Sequence, residues 1–277
     1  MTNLKLGYHT ICWGGVVGEP VGVTSIKNLF YRSGGDVERA ANEIAELGYD
    51  GFEIFDGNLL DFIDNPSRFR RLLESTGLQL VAVYCGGNFI YPEILEEELW
   101  RVRKAAALAG QFDARHLVVG GGAQRWNGIE PDDYQRLGDS LDKVVAIAEE
   151  SGLIAVFHPH LTTIVESPAQ VEKLLSVSRI GLCADTAHLA AGGGDPAGML
   201  RQHADRLGYV HLKDFRREPF GFLPLGEGEL DMVGIVKTLT EIAYDGWATV
   251  ELDSFDGAPK EAAAQSRRFL ESMLGFS

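Results

Sequence analysis

Cysteine is scarce in this sequence. The 277 residues include three cysteines, and no two of them form a Cys-x-x-Cys pair. Cys12, Cys85 and Cys183 each fall in or near a predicted strand, which is typical of buried thiols in a reducing compartment. This pattern excludes a small secreted scaffold that depends on disulfide bonds.

Long hydrophobic runs are also missing. No apolar run reaches the length that crosses a membrane. The first residues, MTNLKLGYHTICW, lack the basic region, the apolar stretch and the small-residue cleavage site of an export signal. We therefore expect a cytoplasmic protein that does not bind membranes.

Positive charge is in short supply as well. Forty acidic residues oppose 25 basic ones, so the formal net charge is −15. A surface of this sign repels phosphate backbones and anionic lipids, so we expect no nucleic-acid partner. No basic, glycine-rich phosphate loop appears, and the balance favours a small, unphosphorylated ligand.

Short apolar runs that alternate with longer amphipathic segments dominate the chain. Predicted strands cover residues 4–13, 51–56, 79–87, 116–122, 153–160, 180–188, 207–214 and 247–253. Helical patterns are clearest at 36–47, 93–110, 132–152, 195–208 and 258–274. Asp36 is the predicted N-cap of the first of these helices, and Gly48 its stop. Strands alternating with helices eight times predict an α/β fold, a (β/α)8 TIM barrel in a single domain of residues 1–277.

A doubly wound open sheet is the alternative architecture. It would carry a glycine-rich phosphate turn after an early strand. The turn after the first strand, CWGGVVGEP, lacks the Gly-x-Gly-x-x-Gly spacing. We therefore rank the open sheet second.

Polar side chains gather at the carboxyl ends of the predicted strands, which is where (β/α)8 barrels carry their catalytic groups. They are His9 on the first strand, Glu53 and Asp56 on the second, His158 and His160 on the fifth, Asp185 and His188 on the sixth, His211, Lys213 and Asp214 on the seventh, and Glu251 and Asp253 on the eighth. Alternate residues of a strand share a face, so His158 lies on the same face as His160. If those faces are the barrel interior, four consecutive strands direct imidazoles and carboxylates at one volume.

So many buried titratable groups require compensation, because each would otherwise cost on the order of several kcal/mol. One divalent cation would supply it. Mixed histidine and carboxylate ligands suit Mn²⁺, Co²⁺, Fe²⁺ or Zn²⁺ better than Mg²⁺ or Ca²⁺, which prefer all-oxygen shells. The predicted ligands are His158, Asp185, His211 and Glu251.

Several segments resemble one known family, the xylose-isomerase-like barrels. They are CADTAHLAAGG (183–193), YVHLKDFR (209–216), LGEGELD (225–231), YDGWATVEL (244–252), LGYDGFEIF (47–55) and the opening strand with Trp13. The family comprises sugar isomerases, epimerases and dehydratases, including inosose dehydratase. The resemblance covers nearly the whole chain in order, and its motifs are specific for the superfamily rather than for a substrate.

The resemblance implies a metal held by one residue on each of strands five to eight. By motif, the last three positions fall on Asp185, His211 and Glu251. The first falls on His158, where many members have glutamate, and the inosose-dehydratase-like branch is similar in its histidine-rich strand. His158 is thus the implied ligand and His160 a substrate or acid–base group, although the two could exchange roles.

That departure has a chemical consequence. Epimerases of the family work with two metal-bound glutamates, one on each side of the substrate carbon. A metal-bound imidazole is a poor base, so His158 weakens this symmetric mechanism. It favours a one-sided reaction, the β-elimination of water from a ketose or keto-cyclitol.

The implied mechanism assigns further roles. Glu251 or His160 removes the proton α to the carbonyl, His188 holds or protonates a substrate hydroxyl, and Arg216 or Arg217 stabilises the enolate oxygen. The predicted substrate contacts are Trp13, Glu53, Lys213, Arg217 and Phe222. Two long connections, 14–35 and 215–229, are predicted lids over the substrate.

Some of these residues also have simpler interpretations. For His9, a satisfied core or surface histidine is favoured. For Glu53, a salt bridge at the barrel rim is an equal alternative to a substrate contact. For Lys213, a rim salt bridge to Asp214 or Glu227 is an equal alternative to a substrate contact. The aromatic side chains of Trp13 and the second lid form either a wall against a sugar ring or packing between loop and barrel.

Other functions remain as alternatives to the dehydratase. A ketose 3-epimerase or isomerase keeps the same family, and a non-catalytic sugar-binding barrel keeps only the fold. An endonuclease related to abasic-site nucleases is disfavoured by the charge of −15. A homo-oligomer is an expectation from the family alone.

Overall fold

The predicted strands form a closed parallel barrel in the computed structural model, which describes residues 4–14 and 30–274. The barrel strands are β1 (Lys5–His9), β2 (Gly51–Phe55), β3 (Gln79–Gly87), β4 (His116–Gly121), β5 (Ile154–Phe157), β6 (Gly181–Asp185), β7 (Leu207–Leu212) and β10 (Trp247–Val250). Their order around the barrel is β1, β10, β7, β6, β5, β4, β3, β2. Tyr8 closes the ring, because it pairs with Val250 on one side and Phe52 on the other. The (β/α)8 prediction is confirmed.

Helices separate the barrel strands along the chain. They are α1 (Val37–Glu46), α2 (Asp56–Leu60), α3 (Pro66–Thr76), α4 (Leu95–Gly110), α5 (Asp133–Glu150), α6 (Pro168–Val177), α7 (Thr186–Ala191), α8 (Pro196–Gln202), α9 (Met232–Glu241) and α10 (Pro259–Leu274). The capping prediction for α1 is confirmed, since the Asp36 carboxylate accepts the N–H groups of Glu38 and Arg39. Gly48 follows with φ +77°, a conformation that glycine adopts without strain.

Several predicted boundaries are wrong. The first and eighth strands end at His9 and Val250 rather than at 13 and 253, and three further differences have local reasons. The fifth strand ends at Phe157 rather than 160, because Pro159 has no N–H to continue the ladder. The sixth ends at Asp185, whose own carboxylate caps α7 by accepting the His188 N–H at 2.8 Å. The helix predicted through residue 208 ends at Gln202, and β7 already begins at Leu207.

Two layers of buried side chains surround the strands. Most buried apolar residues belong to one large cluster that includes helix residues such as Ile44 and Leu141. A smaller cluster includes Val156, Cys183 and Tyr209, which share strand faces with the predicted ligands two residues further on. All three cysteines are buried and unpaired. Among the described residues, no helix has the length and apolarity to cross a membrane.

A short hairpin follows β7 at the carboxyl end of the barrel. It pairs β8 (Asp214–Arg216) with β9 (Gly221–Leu223). The buried Asp214 carboxylate accepts backbone N–H groups from Phe215, Gly226, Gly228 and Leu230 at 2.9 to 3.2 Å. A side chain at position 228 would collide with Asp214, because an added Cβ would lie 2.1 Å from its Oδ1. The predicted lid 215–229 is thus bound to the barrel at both ends, whereas most of the lid predicted at 14–35 falls outside the described residues.

Asp56 provides a pH-dependent test of the fold. Its side chain is 2% exposed, and burial raises its pKa to about 8 even though backbone N–H groups stabilise its charge. An aspartate in the unfolded chain has a pKa of about 3.9. The unfolded state is therefore ionised from about pH 4 upward, while the folded state keeps its proton until about pH 8.

We expect Asp56→Asn to remove this pH-dependent loss of stability. The free energy of unfolding of the parent protein should fall between pH 5 and pH 8 relative to that of the variant, at up to about 1.4 kcal/mol per pH unit. Urea denaturation at the two pH values measures the difference, with the exposed Asp64→Asn as the charge-matched control. Equal pH dependence in parent and variant would contradict the assignment.

Candidate functional site

The carboxyl ends of four adjacent strands bring together His158, Asp185, His211 and Glu251. One nitrogen or oxygen atom from each lies within 4.8 Å of the others. All four side chains are buried, and Asp185 and His211 have no exposed surface. The set of residues predicted from the strand ends is therefore assembled at one point.

The converging atoms lack hydrogen-bond partners. They are His158 Nε2, Asp185 Oδ2, His211 Nδ1 and Glu251 Oε2. His158 Nε2 lies 3.5 Å from Asp185 Oδ2 and 4.0 Å from Glu251 Oε2, and His211 Nδ1 is in close contact with Glu251 Oε2. A buried polar atom without a partner costs about 1–3 kcal/mol, so four at one point require a common partner.

A divalent cation fits this cluster. Ligand atoms bound at about 2.0–2.2 Å lie no more than about 4.4 Å apart, close to the observed spread. Two nitrogen and two oxygen donors suit Mn²⁺, Fe²⁺, Co²⁺ or Zn²⁺. The electrostatics agree: burial alone would lower the pKa of His211, but Cys183, Glu53 and Glu251 hold it well above its ordinary value. The pocket attracts positive charge.

Three of the four residues use one atom to hold the side chain and leave another for the ion. Asp185 Oδ1 caps α7, which leaves Oδ2. His211 Nε2 contacts Glu53 Oε2 at 2.8 Å, which leaves Nδ1. Glu251 Oε1 accepts from Lys213 Nζ at 3.0 Å, which leaves Oε2. The fourth, His158, is held through its backbone N–H, which donates to Val119 O in β4.

Glu53 lies deeper than the sequence predicted. It is fully buried, so the alternative of a salt bridge at the barrel rim is wrong. Its Oε2 accepts from the Tyr209 hydroxyl and His211 Nε2, each at 2.8 Å. Burial would raise the pKa of Glu53, but His211 outweighs burial and the pKa is lowered. Glu53 therefore fixes the His211 ring from behind, as carboxylates commonly do for metal-bound histidines.

Lys213 is buried beneath the hairpin. Its Nζ donates to Glu251 Oε1 at 3.0 Å and Asp253 Oδ1 at 2.7 Å, and lies 4.1 Å from the centre of the Phe222 ring. The predicted rim salt bridge to Asp214 or Glu227 is wrong, because Asp214 is occupied by backbone amides. Burial would raise the pKa of Glu251, but Lys213 above all lowers it well below its ordinary value. Glu251 is therefore a weak base. Asp253, which the sequence places at the end of the eighth strand without a role, is the second partner of Lys213.

His160 and His188 form a stacked pair beside the cluster. Their ring centres are 4.0 Å apart and lie 5.8 and 5.4 Å from that of His158. Burial lowers the pKa of both, that of His188 most strongly. Phe222 covers His188 at 5.3 Å between ring centres. Both histidines and Phe222 thus lie where the sequence predicted functional groups.

Other predicted residues face elsewhere. Trp13 Nε1 donates to Glu43 Oε2 on α1 at 2.6 Å, so this aromatic ring packs the loop against the barrel. Arg216 is exposed and donates to Pro219 O, and the exposed Arg217 stacks on Phe215. Both guanidinium groups are held by the hairpin, so their predicted role at an enolate oxygen has no support in this geometry.

His9 follows its simpler interpretation. It is buried, and its Nδ1 accepts the Ile11 N–H at 3.0 Å, which caps the short 3-10 turn Thr10–Trp13. Its Nε2 lies 3.6 Å from Glu53 Oε1. It therefore lies beside the carboxylate behind His211, on the neighbouring strand of the barrel.

Comparisons with known proteins agree with this fold. A family model described as a xylose isomerase-like TIM barrel matches residues 41–273. An inosose dehydratase of Geobacillus kaustophilus (strain HTA426) is 30% identical over 272 residues, covering 86% of this chain and 87% of that protein. Two solved structures show the same fold. The probable 3-DHS dehydratase AsbF of Bacillus anthracis has a TM-score of 0.75 at 15% identity over 96% of this chain and 98% of its own. A D-allulose 3-epimerase from Methylomonas sp. has a TM-score of 0.76 at 17% identity over 99% and 98%.

Glu53→Ala should weaken metal binding about 10- to 100-fold, because the His211 ring loses the acceptor that orients it. Glu53→Gln keeps an acceptor oxygen without the charge and should lie between parent and Glu53→Ala. Competition with a chelating dye, using Mn²⁺ and Zn²⁺, measures the affinity. The exposed Glu241→Gln is the charge-matched control. A folded Glu53→Ala protein with parental affinity would refute the role of Glu53.

Proposed function

The chain belongs to the xylose isomerase-like TIM barrel family, and from that premise we propose that it is a divalent-metal-dependent dehydratase of an uncharged keto-cyclitol or ketose. The relatives support the general class, since an inosose dehydratase aligns over most of both chains. The observation that carries the proposal is the one-sided arrangement of acid–base groups at the cluster. His160 and His188 lie together beside His158, and among the described residues the carboxylates of the cluster, Asp185 and Glu251, each have one oxygen held by another group.

The ligand cluster supplies the activation of the substrate. A divalent ion held by His158, Asp185, His211 and Glu251 would act as a Lewis acid on the substrate carbonyl and a neighbouring hydroxyl. Lys213 holds Glu251 in place and lowers the basicity of its carboxylate. This supports proton abstraction by His160 rather than by Glu251, which were the two candidates from the sequence.

An epimerase would require a base on each face of the reacting carbon. His158 takes the position that the family commonly fills with glutamate, and Glu251 has one oxygen held by Lys213 and the other in the ligand cluster. These two features favour dehydration over 3-epimerisation. They leave the epimerase as the activity to be excluded by experiment.

The charges around the cluster favour a neutral substrate. Lys213, the cation nearest the ligands, already contacts two carboxylates. Among the described residues, a phosphate or carboxylate on the substrate would therefore meet no unpaired ammonium group beside the ligands. Phe222 offers an apolar ring face above, which suits the C–H face of a cyclic polyol.

We further propose that the protein works as one barrel domain in the cytoplasm, without a nucleic-acid partner. The net charge of −15 supports the last point. The hairpin that carries Phe222 forms a cover over the substrate, in the position predicted for the second lid.

The metal and the reaction can be tested together. Protein purified without chelator should hold about one Mn, Fe, Co or Zn per chain by elemental mass spectrometry. The double variant His158→Ala, His211→Ala should hold none. The metal-loaded parent should convert a keto-cyclitol to its dehydrated enone, followed by ultraviolet absorbance, and the double variant should not.

The buried His203→Ala is the control for loss of a histidine outside the site. A parent that binds none of the four ions, even after incubation with each, would refute the metal site. A metal-loaded parent that inverts a carbon centre without losing water would replace the dehydratase with the epimerase.

A further inference from the structure

The backbone of one residue, Leu161, contacts both imidazoles of the His160–His188 pair. The carbonyl oxygen of Leu161 is 2.8 Å from His160 Nδ1. The backbone N–H of the same residue donates to His188 Nδ1, at a longer 3.4 Å. One ring therefore contacts the C=O group of Leu161, and the other contacts its N–H group.

These contacts determine which nitrogen of each ring carries hydrogen. A carbonyl oxygen only accepts, so His160 Nδ1 must be the donor. A backbone N–H only donates, so His188 Nδ1 must present its lone pair. A neutral imidazole has one N–H and one lone pair, so His160 is left with a lone pair on Nε2 and His188 with an N–H there. Rings 4.0 Å apart also disfavour two positive charges.

The free nitrogens are placed for chemistry. His188 Nε2 is buried and has no hydrogen-bond partner, so its N–H is available to a substrate atom. Its ring lies between His158 and Phe222, at 5.4 and 5.3 Å between ring centres. His160 is half-buried beside it. A base and a donor are thus presented side by side from the same side of the site.

We propose that the backbone of Leu161, through its C=O and its N–H, locks His160 and His188 in opposite tautomers, so that His160 is the base, His188 is the hydrogen-bond donor, and water leaves by syn elimination. The inference rests on the proposed dehydratase function. It deepens that function because it names the geometry of the substrate that is accepted.

The proton balance closes within the pair. His160 Nε2 takes the proton from the carbon α to the carbonyl, and the C–H electron pair forms the enolate. The enolate pair then forms the carbon–carbon double bond as the β C–O bond breaks. The His160 imidazolium returns the same proton to the departing hydroxyl, held by His188 Nε2–H, and one water leaves. Both rings end in their starting tautomers.

His160 removes the proton from one face of the substrate ring and can return it only to a hydroxyl on that same face. The accepted substrate must therefore have its α-hydrogen and β-hydroxyl on the same face. A cyclohexanone with five equatorial hydroxyls meets this condition on both sides of the carbonyl. Its isomer inverted at both β-carbons does not.

The tautomers can be measured without any reaction. Protein labelled with nitrogen-15 histidine, in metal-free and Zn²⁺-loaded forms, reports N–H and lone-pair nitrogens by long-range proton–nitrogen correlation. His160→Gln and His188→Gln assign the two rings, and His203→Gln is the control outside the site. We expect Nδ1–H in His160 and Nε2–H in His188. The same tautomer in both rings, or the reverse pair, would overturn the inference.

The stereochemistry is tested with the two cyclohexanones. The metal-loaded parent should dehydrate the all-equatorial compound at least about 100-fold faster than the doubly inverted one, the scale of positioned acid–base catalysis. His188→Gln should lose dehydration about 100-fold and keep α-hydrogen exchange with deuterated water, whereas His160→Gln should lose both. A preference for the inverted compound would overturn syn elimination. No turnover of either compound by metal-loaded protein would count against the dehydratase itself, while the tautomers would still be decided by resonance.

Discussion

The burial of carboxylates in the mouth of the barrel is the constraint on which the rest of the site depends. Glu53, Asp185, Glu251 and Asp253 all lie there with less than a tenth of their surface exposed, and Lys213 is the only buried ammonium group among the described residues. One lysine cannot compensate four negative charges in a medium of low polarity. The histidines, the lysine and the place for a cation are arranged around this excess.

The fold and the ligand set could be predicted from the sequence because they follow short-range rules. Strand periodicity places His211 and Glu251 on inner faces, and parallel strands bring their carboxyl ends to one edge. The positions of Glu53, Lys213 and Trp13 could not be predicted in this way. Glu53 meets His211 across 158 positions of sequence, and only the closure of the barrel decides that contact. For Trp13, the choice between substrate and packing depends on Glu43, which the local pattern does not reveal.

The two histidines around Pro159 have different positions because the proline interrupts the strand. An uninterrupted strand would have placed His158 and His160 on the same face, as equivalent ligands. The proline ends the ladder, His160 turns toward the Leu161 carbonyl, and only His158 remains in the cluster. The geometry places His158, and not His160, in the group of residues that could hold a metal ion. The arginines of the hairpin were predicted at the site, but they lie at the surface, where Arg216 contacts Pro219 and Arg217 contacts Phe215.

The anchoring of the hairpin by Asp214 also bears on how such a site can diversify. Four backbone amides, two of them from glycines, wrap one carboxylate, so the grip does not depend on the side chains at the tip of the hairpin. Residues 217–220 can change in size and charge while the base of the hairpin stays in register. Natural variation at the tip would then alter what rests above the reaction centre without disturbing the centre itself. The base of the hairpin is thus fixed by backbone hydrogen bonds, and the tip is the part of the hairpin whose side chains can vary.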